Sequence, residues 1–291
     1  MPDEGRRRAL AIRQLYRLGW RVAAVIPRRA VDGLIVRASR RTRRRDGWHV
    51  RNLRRNLEVV CGGPVDDATL DVALASHFRN VYEQLALPGA AKRLVAAVST
   101  TGEDELRVAY AERGIVVALP HSGNWDLAGA WACRSGLPVT TVAERLGDAE
   151  FAAFTEFRTR LGMEVFAHGD PAAVSGLVDA VHRRRVVCLL ADRDLAGDGV
   201  PVRFAGQPVT MPIGPALVAQ RSGAALFPAV SQFTDEGMLL RIGPEVPVAA
   251  GPDGLRTATQ ALADVFASRI ADRPQDWHLL QPFFNGAEVS R

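Results

Sequence analysis

The sequence predicts an α/β fold in which a mostly parallel central sheet is covered by helices on both faces, with a helical N-terminal portion in front of it. Three observations predict this. Beyond residue 99, short apolar runs alternate with segments of helical period, the pattern of βα units. The run Ile115-Val116-Val117-Ala118-Leu119 has the length and β-branched content of a core strand. Just after it, Ser122 and Asn124 are good N-cap residues for a helix continuing through Leu127-Ala128-Gly129-Ala130-Trp131. No internal repeat or low-complexity linker divides the 291 residues, so they read as one domain, 1–291, with a helical portion over 1–98 and an α/β core over 99–291.

In chain order, Leu15, Leu18, Val22 and Ile26 fall on one side of a first helix, Arg13, Arg17 and Arg21 repeat every fourth residue, and Tyr16 and Trp20 sit near the boundary. Val31, Leu34, Ile35 and Ala38 begin a second stripe after Pro27, closed by Arg40-Arg41-Thr42-Arg43-Arg44-Arg45. Gly63-Pro64 and Pro88-Gly89 read as turns between helices. Strands are expected at 115–119, 138–143, 163–168, 186–191, 225–233 and 238–242. Helices are expected near 104–113, 125–135, 148–161, 171–184, 212–222 and 255–272.

The charge is uneven. Residues 1–60 hold 17 arginines against five acids, a net of +12, so the rest carries −7 within a total of +5. A basic amphipathic helix lying in a membrane interface has this pattern, and an anionic phospholipid surface is the expected partner. Two other readings stand beside it: stripes packed on the protein's own core with arginines in water, or a nucleic-acid arm. The segment has no helix-turn-helix, RNA-binding aromatic motif or zinc finger, so no nucleic acid is expected. Arginines interrupt any would-be signal peptide, and no apolar stretch approaches the roughly 20 residues needed to span a bilayer. Cys61, Cys133 and Cys188 are far apart and lack metal-ligand spacing, which points to packed thiols in a reduced protein without structural zinc.

The most informative stretch is His121-Ser122-Gly123-Asn124-Trp125-Asp126, where strand becomes helix. Helix N-termini offer free N–H groups, and ligands of open α/β sheets bind at such strand ends. A carboxylate one turn along can accept the Nδ1–H of the imidazole, leaving Nε2 to take a proton from a substrate hydroxyl. The alternative is a satisfied histidine in a turn, with Asp126 merely favoured in the first helical turn. No Gly-x-Ser-x-Gly elbow supplies a protein nucleophile, so acyl transfer to a bound alcohol fits better than hydrolysis through an acyl-enzyme. Glu144, Asp192 and Asp194 also follow predicted strands, as substrate-binding groups or as solvated turns. Arg145, Arg158 and Arg193 are suited either to phosphates or to ordinary ion pairs with Glu144, Glu156 or Asp194. His168, His182 and His278 match no short metal motif and are expected in structural or surface roles.

His-x-x-x-x-Asp is the signature of glycerolipid and lipid A type acyltransferases, and the surrounding blocks are more specific. Ala118 to Asp126, Thr141-Val142-Ala143-Glu144-Arg145-Leu146, Phe157-Arg158 with Leu161-Gly162-Met163-Glu164, and Ala191-Asp192-Arg193-Asp194-Leu195 closely resemble the actinobacterial phosphatidylinositol mannoside acyltransferases. Met211-Pro212, Gly214-Pro215, Asp276-Trp277-His278 and Leu280-Gln281-Pro282 extend the likeness over nearly the whole chain, in the family's order.

The resemblance implies a glycerolipid acyltransferase-like fold and a peripheral enzyme on the cytoplasmic face of the membrane. It would move a long-chain acyl group, palmitoyl, from acyl-CoA to a mannose hydroxyl of phosphatidylinositol mannoside, the 6-hydroxyl of the mannose on inositol position 2. His121 is the implied base and Asp126 its orienter, with no metal and no cofactor beyond the acyl-CoA donor. The residues matching Glu144, Arg158 and Asp192 line the family's site, which carries glutamate at the position of Asp192. The same chemistry on another glycolipid or lysophospholipid, and a non-catalytic lipid or nucleic-acid binding module, are the alternative readings.

Overall fold

The computed structural model describes Gln14 and residues 18–144 and 148–284. Helices fill the described chain up to Val95: α1 (residues 18–25), α2 (Arg28–Arg45), α3 (Trp48–Cys61) and α4 (Asp67–Val95). There follow β1 (Val98–Thr101), α5 (Glu103–Arg113), β2 (Ile115–Leu119), α6 (Trp125–Arg134), β3 (Val139–Ala143), α7 (Asp148–Arg160) and β4 (Glu164–Ala167). The chain continues through α8 (Ala173–His182), β5 (Val186–Leu190), β6 (Val200–Phe204), β7 (Gln207–Met211), α9 (Gly214–Ser222), β8 (Ala225–Phe233), β9 (Met238–Ile242) and α10 (Gly251–Asp272).

The seven-stranded sheet has the order β1-β9-β8-β2-β5-β3-β4, with every neighbouring pair parallel except β8 and β9. All five residues of β2 are buried, as expected of a central strand covered on both faces. Its side chains divide by the period of two. Ile115, Val117 and Leu119 join a core with Leu106 of α5, Leu127 and Ala128 of α6 and Phe157 of α7. Val116 and Ala118 join the other core, with Leu177 of α8, Val218 of α9 and Phe266 of α10.

Three strands have no counterpart in the sequence reading. The four-residue edge strand β1 is too short to show a period. β6 and β7 form a separate antiparallel hairpin whose turn, Ala205-Gly206, puts both residues at positive φ, 48° and 77°. Asn-Gly or Asp-Gly normally announces such a turn, and alanine does not.

Gly63-Pro64 is a turn, following a left-handed Gly62 at the end of α3. Pro88-Gly89 is not a turn, because α4 runs straight through it. The reason is packing: a Cβ on Gly89 would stand 2.5 Å from the Cβ of Ala24, so glycine lets α1 lie directly on α4. The buried Leu87, Ala90 and Ala91 hold the helix on course past the proline.

Trp20, expected at a boundary, is buried 6.1 Å from the ring of Phe157, and Ala23 packs with Ala86 and Ala90 of α4. Of the described stripe residues, Leu18 is 60% and Val22 48% exposed, with Val25 beside them at 79%, an outward apolar face such as an interfacial helix needs, while Ile26 is half-buried. In α2, Ile35 packs inward while Leu34 remains 61% exposed. Leu15, Tyr16, Arg13 and Arg17 lie outside the described residues. No described helix is long and apolar enough to cross a membrane.

Candidate active site

β2 and β5 are adjacent and parallel, and their register brings the residues that follow them side by side. The Ala191 N–H donates to the Leu119 carbonyl at 2.8 Å, which sets Asp192 beside His121. Nδ1 of His121 lies 2.5 Å from Oδ1 of Asp192, and the backbone N–H of His121 donates to Oδ2 at 2.9 Å. The Trp277 indole N–H also donates to Oδ2, at 2.9 Å. Burial of Asp192 pushes its pKa up, but the His121 ring, the Trp277 indole and the His121 amide outweigh that, so it stays below the ordinary carboxylate range. An ionised Asp192 accepts only, so Nδ1 is the nitrogen that donates to it, which in the neutral ring leaves the lone pair on Nε2.

Asp126 occupies a different place from the one expected. It is buried in the first turn of α6, and both its oxygens accept from Arg158 of α7, at 2.7 Å from Nε and 3.3 Å from Nη2. Burial lowers the pKa of Arg158, yet the adjacent Asp126 carries it above the ordinary value. The carboxylate that holds Nδ1 of His121 is therefore Asp192: local spacing suggested Asp126, but strand register delivers Asp192.

The turn between β2 and α6 is pinned from several sides. Asn124 caps α6 by accepting from the Leu127 N–H at 2.9 Å. Ser122 and Ser231 exchange side-chain-to-carbonyl hydrogen bonds at 2.9 and 2.5 Å. Gly123 has φ 57°, and a Cβ there would lie 2.6 Å from the Ser231 oxygen, so no other residue fits.

His121 opens onto a cavity of about 290 Å³ that Asp126, Glu144, Arg158, His168 and Arg193 also line. Gln84, Trp125, Phe151, Phe154 and Leu195 complete much of its wall. Trp125, Asp126, Val142, Arg158 and Leu190 are shared with a second, apolar slot between α6 and the sheet. The slot follows β2 from Leu119 to Ile115 and reaches Leu106 and Ile242. Gly129 lets Met163 pack close against α6 on the slot wall, where a Cβ would meet the Met163 side chain at 2.7 Å. His121 thus lines a cavity that carries both charged and aromatic side chains and adjoins an apolar slot through Trp125, Asp126 and Arg158.

The bacterial lipid A biosynthesis acyltransferase family matches residues 5–285. The chain belongs to that family.

A phosphatidylinositol mannoside acyltransferase of Mycolicibacterium smegmatis is 40% identical over 275 residues, covering 92% of this chain and 89% of its own length. Proteins of the same name from two strains of Mycobacterium tuberculosis are each 39% identical over 277 residues, covering 92% of this chain and 86% of their own.

In this lipid A acyltransferase family member the remaining sequence candidates separate. Glu144 is exposed at the end of β3 on the cavity wall, and Arg193 lines the same wall. Asp194 turns away, accepting from the amides of Gly197 and Gly199 at 2.9 Å each to hold its own loop. Arg145 lies outside the described residues. His182 is exposed at the end of α8, while His278 is buried against the Gly123 carbonyl, 3.1 Å from Nε2. Burial first, then His77 and His121, holds the pKa of His278 well below the usual histidine value, so Nε2–H is the donor to that carbonyl. Burial pushes the Cys188 thiol, on the slot wall, up to about 12, with Cys133 adding to the effect. Trp277 and the aromatic wall escaped the sequence reading because nothing local announces a contact spanning 85 residues.

Proposed function

We propose that this acyltransferase carries a long-chain acyl group, palmitoyl, from acyl-CoA to a mannose hydroxyl of phosphatidylinositol mannoside, the 6-hydroxyl of the mannose on inositol position 2. The reading rests above all on His121, fixed through Nδ1 by Asp192 and lining a cavity that shares Trp125, Asp126 and Arg158 with the adjoining apolar slot. The names of the mycobacterial relatives support the acceptor. The slot's apolar lining supports an acyl substrate, since each buried methylene contributes about 0.8 kcal/mol.

In the proposed reaction, Nε2 of His121 takes the hydroxyl proton as the sugar oxygen attacks the thioester carbonyl. The tetrahedral intermediate carries a negative oxygen, for which the first-turn amides of Trp125 and Asp126 are natural donors, being among the unpaired N–H groups of a helix start. Collapse breaks the carbon–sulfur bond, and the imidazolium returns its proton to the departing CoA thiolate. Asp192 stabilises the imidazolium without accepting its proton. Asp126, neutralised by Arg158, serves to lock α7 against α6 at the cavity wall, and Arg193 and Glu144 are placed to meet phosphate and sugar hydroxyls.

Docking at the cytoplasmic leaflet is the second part of the reading. Exposed Leu18, Val22, Val25 and Leu34 offer apolar contacts, and Arg37, Arg40, Arg41, Arg44 and Arg45 line one groove on α2 that no acidic residue lines. Such a surface suits anionic headgroups.

The test is acyl transfer from labelled palmitoyl-CoA to phosphatidylinositol mannoside, compared with another glycolipid and a lysophospholipid. Labelled mannoside with release of CoA is expected. Labelling of a different acceptor alone would overturn the acceptor, and CoA release with none of them would overturn the reaction.

A further inference from the structure

Asp192 is completely buried, and a buried carboxylate needs a donor for each exposed lone pair. Among the described residues it has three donors, and two of them come from His121 itself. The third, the Trp277 indole, comes from the segment after α10, far along the chain. That segment grips the His121 turn at several points. The Asp276 carbonyl accepts from the Gly123 N–H at 2.8 Å, and the His278 N–H donates to the His121 carbonyl at 2.8 Å. Trp277 itself is fully buried and stacked on Phe204, with ring centroids 5.7 Å apart and planes 16° apart.

Packing alone would be satisfied by any flat ring on Phe204, so the polar end of the indole calls for its own explanation. An indole N–H donates and never accepts. It therefore favours the carboxylate over the carboxylic acid at Oδ2, and its fixed direction leaves Oδ1 for the histidine ring. A carboxylate that lost this donor would rotate more freely and take up a proton more readily.

We propose that Trp277 is a positioning residue for acyl transfer, its indole N–H holding Asp192 ionised and turned so that Oδ1 fixes the His121 ring. The inference rests on the reading of His121 as the base.

The experiment is the pH profile of kcat/KM for palmitoyl-CoA in Trp277→Phe, alone and combined with Asp192→Asn. Losing a hydrogen bond to a charged group is expected to lower kcat/KM about 10- to 100-fold with KM little changed. The acid limb is expected to move to higher pH, because Asp192, no longer sharing its charge with the indole N–H, stabilises the His121 imidazolium more strongly. In the Asp192→Asn background the same substitution is expected to lower the rate by no more than about twofold, since the group it acts through is already gone. An unmoved acid limb, or an equal loss in both backgrounds, would overturn the inference. If Trp277→Phe does not fold, benzothienylalanine at position 277 keeps the shape of the indole without its N–H and gives the same two readings. His121→Ala separates this inference from its foundation. If that variant turns over like the wild type, the base assignment itself fails; if it is inactive while the Trp277 limb stays in place, only the role of Trp277 falls.

Discussion

One carboxylate, that of Asp192, holds both the ring and the main chain of His121: Oδ1 lies 2.5 Å from Nδ1 and Oδ2 accepts from the backbone N–H at 2.9 Å. The imidazole can therefore neither rotate nor exchange tautomers without breaking a buried hydrogen bond.

Asp192→Asn keeps the shape and removes the charge. Its amide can donate where the carboxylate accepted, which favours the wrong tautomer of His121. Turnover is expected to fall about 10²- to 10⁴-fold with little change in KM, as steady-state kinetics on palmitoyl-CoA would report. A rise in KM with kcat unchanged would show that Asp192 does not act through the base.

Arg158→Gln leaves Asp126 buried beside a weaker neutral partner. Breaking such a pair from one side destabilises by about 3–5 kcal/mol, because one charge is left uncompensated. The double variant Asp126→Asn with Arg158→Gln is expected to recover much of that loss. Urea unfolding of the four proteins measures the coupling, and strictly additive losses would contradict the pairing.

Stability should depend on pH through buried histidines. Burial holds both His77 and His278 below the ordinary histidine pKa, aided by His49 for the first and chiefly by His77 for the second. Below about pH 6.5 the unfolded chain takes up protons that the folded chain refuses, so stability is full above that pH and falls as pH drops. Each group contributes a slope of about 1.4 kcal/mol per pH unit in that window. Asp192 acts in a lower one: its depressed pKa stabilises the fold above about pH 3.9, and this is lost as pH falls through the folded value. His278→Asn is expected to flatten the slope between pH 6.5 and 5, measured by urea unfolding at a series of pH values.

Replacing Arg40, Arg41 and Arg44 together with glutamine removes three charges from the basic groove of α2. At roughly 1 kcal/mol each near an anionic leaflet, the partition coefficient onto phosphatidylserine-containing vesicles is expected to drop on the order of 100-fold. Flotation measures it, and wild-type flotation by the variant would remove this groove from docking.

Much of this was legible in local pattern. β2, β8 and β9 have the bounds expected from their apolar runs: β2 and β8 are buried along their whole length, and β9 alternates between buried and half-buried positions. His121, Glu144, Arg158 and Arg193 were visible at the ends of such elements, and they do line one cavity. What stayed hidden was pairing. Nothing near Asp126 foretells that Arg158 takes both its oxygens, and nothing near Asp192 foretells the ring of His121, since both contacts depend on how α7 and β5 dock. In α1 periodicity found the exposed apolar residues Leu18 and Val22, but not that Trp20, expected at a boundary, and Ala23 are the ones that meet the core.

The most direct measurement is transfer of labelled palmitoyl from palmitoyl-CoA to phosphatidylinositol mannoside by His121→Ala, with thermal unfolding as the control for folding. Loss of about 10²- to 10⁴-fold in kcat with an unchanged melting transition is the expected result. Turnover at the wild-type rate by a folded His121→Ala protein would contradict the role of His121 as the base.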